Sequence, residues 1–242
     1  MRISAISDVH VKQKKDPAYE LLLSFLKHPR VKESTHIALL GDIFDLMCGD
    51  HLEYLIEFEE IFNELELLAS EGKKVIFFEG NHDLHLTKLF KRRFKNNSVE
   101  VHSKPLMLEI ENKIYYLSHG DEHEVHNLAY QRYKKVISAK PLGFVANYLM
   151  PFLVLKTIGE KASAKSRKRG SYIFDEGKVR KEFREGVEIT TQGKFDFILG
   201  GHSHVKDEFK FNNSTYLNNG YALNTKTFIS IKDHQVEFVP LL

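Results

Sequence analysis

Cysteine is almost absent from this chain of 242 residues. Cys48 stands alone, so neither an intrachain disulfide nor a Cys-based zinc site can form, and a reducing compartment fits. Long hydrophobic runs are also missing. The longest stretch without a charged residue, Pro141 to Leu155, falls short of the roughly 20 residues a spanning helix needs, and it contains Asn147 and two prolines. The opening Met1-Arg2-Ile3-Ser4-Ala5 has no apolar core of an export signal, so a cytoplasmic protein is expected. Charge is nearly balanced at a net +2, which argues against a nucleic-acid partner. A composition of 42% hydrophobic and 28% charged residues excludes a disordered or coiled-coil chain.

Histidine is what the chain has in quantity, with 13 residues, and its placement is patterned. Five strand-like apolar runs end in polar residues. Arg2–Ser7 leads to Asp8-Val9-His10, His36–Leu40 to Gly41-Asp42, and Lys74–Phe78 to Gly80-Asn81-His82-Asp83. Lys113–Leu117 leads to His119-Gly120-Asp121, and Phe195–Leu199 to Gly201-His202-Ser203-His204. Helical patterns over Ala18–Lys27, capped by Asp16-Pro17, and over Glu53–Ala69 alternate with the first strands. The alternation predicts an α/β layered domain.

From residue 122 to 190 no strand pattern appears; Ala129–Ile137, Phe144–Ile158 and Tyr172–Glu188 read as helices, interrupted near Pro141, Pro151 and Gly170. We therefore expect a core of residues 1–121 and 191–242 and a helical insertion over 122–190. Thr215–Leu242 reads as short antiparallel strands turning at Asn218-Asn219-Gly220 and Asp233-His234.

Polar residues at the carboxyl ends of strands converge on one crevice. Asp8, His10, Asp42, Asn81, His82, His119, His202 and His204 mix carboxylate, amide and imidazole, a set suited to Mn²⁺, Fe²⁺ or Zn²⁺. The Asp-x-His and His-x-His spacings would put each pair on one face of an extended strand, and Asp42 could offer two oxygens to two metals. Each fragment alone is more often a turn or a surface pair than a site; the five together, in this order, are not.

These five motifs resemble those of the calcineurin-like metallophosphoesterases. The resemblance spans the first strand to the last. It implies a four-layer α/β/β/α sandwich and hydrolysis by water at a centre of two divalent ions, Mn²⁺ first, with Fe²⁺ or Zn²⁺ as alternatives. Carried across by motif, Asp8, His10, Asp42 and His204 would hold one metal. Asp42, Asn81, His119 and His202 would hold the other, with Asn81 also near substrate. His82 would face a phosphoryl or leaving-group oxygen as stabiliser or general acid, and Asp83 would fix its tautomer. Asp45 and Asp121 are candidate partners of the ligand histidines, and His123 and His126 candidate residues of the metal mouth.

Within that superfamily the layout resembles the UDP-2,3-diacylglucosamine pyrophosphatases of lipid A synthesis. The carriers are Gly41-Asp42-Ile43-Phe44-Asp45 with Gly49-Asp50, the Ala129-Tyr130-Gln131 stretch, an apolar helix around Pro151 and a Ser/Lys-rich turn. The implied reaction is attack of water on the pyrophosphate, giving UMP and 2,3-diacylglucosamine 1-phosphate, with the insertion as a lid for the acyl chains. Residues 156–184 hold ten basic and four acidic residues, a pattern that reads as an anionic-membrane or polyphosphate contact, or as a solvated helix face. Ser163, Lys165, Ser166, Arg167, Lys168 and Arg169 are the expected diphosphate contacts, and a peripheral position on the inner membrane is expected. The chain departs from that subfamily at His82, where those enzymes carry Arg, and at His126-Asn127 and Val205-Lys206. These departures leave another lipid or nucleotide phosphoester as the alternative substrate.

Overall fold

The computed structural model describes residues 2–159 and 175–241. Its strands are β1 Arg2–Ile6, β2 His36–Leu39, β3 Met47–Cys48, β4 Lys74–Phe78, β5 Asp83–Leu84, β6 Val99–His102, β7 Leu106–Ile110, β8 Lys113–Leu117, β9 Phe197–Gly200, β10 Lys206–Phe211, β11 Ser214–Asn219, β12 Thr227–Lys232 and β13 Gln235–Pro240. The helices are α1 Pro17–Leu26, α2 Pro29–Lys32, α3 Leu52–Glu57, α4 Glu59–Ser70, α5 Thr87–Arg93, α6 Leu128–Ile137 and α7 Lys140–Tyr148. They continue with α8 over 152–159, α9 Glu176–Thr191 and α10 Ala222–Thr225.

Two sheets form the centre, one ordered β13-β12-β1-β2-β4-β6 and the other β10-β11-β9-β8-β7. Successive side chains of a strand point to opposite faces. In β2 and the residue after it, Ile37 and Leu39 join the helix-side core while Ala38 and Leu40 join the core between the sheets. On the helix side, α1, α4 and α5 bury Phe25, Phe62, Leu65 and Phe90. Between the sheets, Ala5, Ile76 and Phe78 meet Leu117, Leu199 and Leu217. The outer face of the second sheet presents Ile198 and Tyr216 to Val187 of α9. The four layers expected of an α/β/β/α sandwich are thus present. The fourth is α9, a helix that the sequence pattern grouped with the insertion. Burial on both faces explains why the central parallel strands read as unbroken apolar runs.

Local chemistry sets several boundaries. Asp16 caps α1 by accepting the Tyr19 N–H at 2.6 Å, with Pro17 in the first turn. The helix expected over Glu53–Ala69 is two helices, α3 and α4, parted at Phe58 (φ −109°, ψ 27°). There the buried Phe58 ring lies 4.7 Å from that of Phe44, so core packing overrides helical periodicity. Pro141 opens α7 instead of breaking a helix, and Pro151 separates α7 from α8. Asp233-His234 forms the expected hairpin turn, both residues in the left-handed region. Asn218-Asn219-Gly220 does not: β11 pairs with β9 and β10, and the chain then crosses to the other sheet. Among the described residues, no helix is long and apolar enough to cross a membrane.

Candidate metal centre

The carboxyl ends of β1, β2, β4, β8 and β9 bring Asp8, His10, Asp42, Asn81, His119, His202 and His204 together. The convergence does not come from alternation along extended strands. β1 ends at Ile6 and β9 at Gly200, and Asp8, His10, Asp42, His202 and His204 have φ of 52°, 55°, 51°, 66° and 58°. Left-handed backbone is costly for residues other than glycine and collects at functional sites. Here it turns successive side chains inward just past the sheet.

The donors form two sets. In the first, His204 Nε2 lies 3.4 Å from Asp8 Oδ1 and 3.2 Å from His10 Nε2, and His10 Nε2 is 3.9 Å from Asp42 Oδ2. In the second, Asn81 Oδ1 lies 3.3 Å from His119 Nε2 and 3.1 Å from His202 Nδ1, and His119 Nε2 is 3.6 Å from Asp42 Oδ2. Asp42 Oδ2 is common to both. Asp42 Oδ1 accepts the Asn81 and His82 N–H groups, each at 2.9 Å. One oxygen, rather than two, therefore joins the sets. Imidazole nitrogens, carboxylate oxygens and an amide oxygen facing one another at these spacings fit divalent cations.

The outer partners decide which nitrogen of each ring faces inward. His119 Nδ1 donates to the Leu40 carbonyl at 2.9 Å, presenting Nε2 to the centre. His202 Nε2 donates to Glu124 at 2.9 Å, presenting Nδ1. Asp8 accepts the Ser7 hydroxyl at 2.5 Å and the His202 N–H at 3.0 Å, and Asn219 Oδ1 in turn accepts the Ser7 N–H. Close approach demands glycine beside these groups: a Cβ on Gly80 would fall 2.2 Å from Asp42 Oδ1.

Electrostatics follow from burial and pairing. Burial pushes the Asp42 carboxyl up, but the imidazoles of His119, His82 and His10 override it and hold it well below the carboxylate range. Asp8 is lowered in the same way, by His204 against burial. Burial holds His10 down at about 4, against the pull of Asp42. In His202 and His204 the partners Glu124 and Asp8 outweigh burial and raise the imidazoles.

Other expected residues lie elsewhere. Asp83 does not bond His82. Its fully buried carboxylate accepts the N–H groups of Asp42, Gly80, Ile43 and Phe44 at 2.7 to 3.2 Å, so it shapes the ligand loop. His82 Nδ1 instead donates to the Asp45 carbonyl at 2.9 Å. Asp45 Oδ1 lies 3.7 Å from His10 Nδ1, whereas Asp121 meets Lys134 Nζ at 3.0 Å. His123 is buried against Thr190 at 2.7 Å, and His126 is exposed beside Glu185. Ser163, Lys165, Ser166, Arg167, Lys168 and Arg169 lie outside the described residues. Three residues in the vicinity were not anticipated as contacts. Glu124 holds His202, Lys134 donates to the Gly80 carbonyl at 3.1 Å, and the Tyr221 ring stacks on His204 at 5.4 Å.

A cavity of about 770 Å³ opens beside the centre at Asn81, His82 and Asp45 and runs between the core and α6, α7 and α8. Its far part is apolar, with Leu142, Ala146, Met150, Leu155 and Ile158.

Comparison with known proteins bears on this geometry. The family model of the calcineurin-like phosphoesterases matches residues 1–206. The chain belongs to this family. It is a phosphoester hydrolase whose His/Asp clusters are able to hold divalent metals. The UDP-2,3-diacylglucosamine hydrolase of Histophilus somni (strain 2336) is 28% identical over 207 residues, covering 84% of this chain and 83% of that protein. The Aliivibrio fischeri (strain MJ11) protein of the same name is 24% identical, covering 87% of this chain and 85% of its own. An archaeal phosphodiesterase of known structure shares the fold, with a TM-score of 0.51, 12% identity and 99% of each chain covered.

Proposed function

We propose that this chain hydrolyses the pyrophosphate of UDP-2,3-diacylglucosamine, releasing UMP and 2,3-diacylglucosamine 1-phosphate. The carrying observation is the juxtaposition of the His/Asp centre with a mostly apolar cavity large enough for acyl chains. The names of the relatives support the same substrate. Two divalent ions, Mn²⁺ first, would be held by Asp8, His10, Asp42 and His204 and by Asp42, Asn81, His119 and His202. When bound, such a pair supplies an activated water and neutralises phosphoryl charge.

The chain's own groups do the rest. Left-handed turns at five of the seven donors help hold the set around one pocket, so little reorganisation is needed at the moment of reaction. His82 spends Nδ1–H on the Asp45 carbonyl, which directs Nε2 to a phosphoryl or leaving-group oxygen. The cavity walls exclude water from the acyl side and orient the anhydride at the centre. Ser163, Lys165, Ser166, Arg167, Lys168 and Arg169 are proposed to clamp the diphosphate. The helices of the proposed insertion expose Phe144 (56%), Tyr148 (60%), Leu149 (65%) and Leu153 (75%), which supports a peripheral seat on the cytoplasmic face of the membrane where a lipid-linked substrate resides.

The test is acyl-chain dependence. Burial of each CH₂ is worth about 0.8 kcal/mol, so removing both chains from the substrate lowers kcat/KM by well over tenfold. Equal kcat/KM for acylated and deacylated substrates would overturn the lipid reading. It would favour the second reading, another nucleotide phosphoester, to which the departure from the resembled subfamily at His82 points.

A further inference from the structure

The two donor sets are supported unequally. The outer partners of Asp8, His10 and His204 are Ser7, the His202 backbone, Asp45, His82 and Tyr221, all from the core of the sandwich. Among the described residues, the side-chain hydrogen bonds, ion pairs and ring contacts of Asp8, His10 and His204 come from outside 122–159. The other set is different. Glu124 accepts the Nε2–H of His202 at 2.9 Å and is three-quarters buried at its side chain. Lys134 of α6, with its side chain 23% exposed, spans the two ligand loops. Its Nζ lies 3.0 Å from Asp121 Oδ2, two residues after His119, and 3.1 Å from the Gly80 carbonyl, one residue before Asn81. The Tyr130 ring between them packs 4.8 Å from His202.

We propose that the segment 122–137 governs occupancy of one metal position only. Glu124 and Lys134 are positioning residues for the Asn81/His119/His202 set, and the Asp8/His10/His204 set is independent of them. The inference rests on the two-metal reading above. Its physical basis is that Glu124 fixes the His202 tautomer which turns Nδ1 inward. Without it the ring can present Nε2–H to the wrong side or rotate. Lys134 holds Asn81 and His119 at the spacing a single ion requires. Docking of α6 is thereby tied to completion of half of the centre.

Outer-partner substitutions weaken a metal site by about 10–100-fold. In Glu124→Gln the amide keeps the size of the side chain but offers a weaker, neutral acceptor. Calorimetric titration of the whole protein with Mn²⁺, after chelation, should show two sites in the wild type. Glu124→Gln and Lys134→Met should each keep one of these and weaken the other at least tenfold. Asp45→Asn, which alters the partner of His10, should weaken the opposite one. Electron paramagnetic resonance separates the positions independently of activity. The wild type at two equivalents gives the broad signal of a spin-coupled pair, and Glu124→Gln under the same conditions gives the six-line signal of isolated Mn²⁺. Two unchanged sites in both variants, or equal loss from both sites in folded protein as judged by circular dichroism, would overturn the proposal. A wild type that binds fewer than two ions would instead overturn the two-metal reading on which it rests.

Discussion

Asp83→Asn isolates what holds the shared ligand in place. The carboxyl is fully buried, and burial and Asp42 push it up, but four backbone N–H groups aimed at its two oxygens favour the charged form: Oδ1 takes Asp42 at 2.9 Å and Gly80 at 2.8 Å, and Oδ2 takes Ile43 at 2.7 Å and Phe44 at 3.2 Å. An amide has one acceptor oxygen, so its NH₂ must face two donors whichever way it turns. The cheaper orientation points NH₂ at Asp42 and Gly80, because Gly80 N–H retains the Asp83 carbonyl at 3.1 Å. The Asp42 N–H is then buried without a partner, at a cost of about 1–3 kcal/mol. Ile43 and Phe44 keep an oxygen that is now neutral, losing about 1–2 kcal/mol between them. The sum is a loss of about 2–5 kcal/mol. Urea denaturation of the metal-free protein measures it as a lower midpoint with unchanged slope. A loss of about 0.5 kcal/mol or less, the range of an ordinary surface change, would refute the reasoning.

Gly80→Ala should act on chemistry more than on stability. Its Cβ would fall 2.2 Å from Asp42 Oδ1 and 2.6 Å from Asp42 N, which Asp83 prevents from retreating. A displacement near 1 Å costs about 100-fold in turnover, and kcat at saturating Mn²⁺ within threefold of wild type would contradict this. The Nε2 atoms of His10 and His204 face each other at 3.2 Å beside two buried carboxylates, an arrangement a bound cation would stabilise. Each refilled site should add about 2.7 kcal/mol of stability at 100 times its Kd, so thermal scans with and without EDTA should differ clearly, and coincident scans would argue against both sites.

The sequence made the donors legible because each follows an apolar strand run and only a few residue types can ligate a hard or borderline cation. It did not make their supports legible. Asp83 stands next to His82 in the chain, which suggested a bond between them, yet its carboxylate reaches the loop of Asp42, Ile43 and Phe44 some 39 to 41 residues away. Glu124 meets His202 across 78 residues and Lys134 meets Gly80 across 54, from a segment with no strand pattern to index them. The layered fold was readable from alternating strands and helices, but β6, β7 and β10 carried no strong signal. β7 and β10 alternate exposed and buried positions on the rims of the second sheet, where pairing with a neighbour decides the conformation. Phe58 illustrates the same limit inside a helix, where contact with Phe44 outweighs periodicity.

On the proposed function, the Asp42-linked centre cleaves a lipid-linked nucleotide anhydride. The most direct measurement is product analysis of purified protein with Mn²⁺ and UDP-2,3-diacylglucosamine, beside Asp42→Ala. Release of UMP and acylated sugar 1-phosphate by the wild type, and by the variant at no more than background, is the expected result. Cleavage of bis-p-nitrophenyl phosphate with no UMP released would contradict the claim.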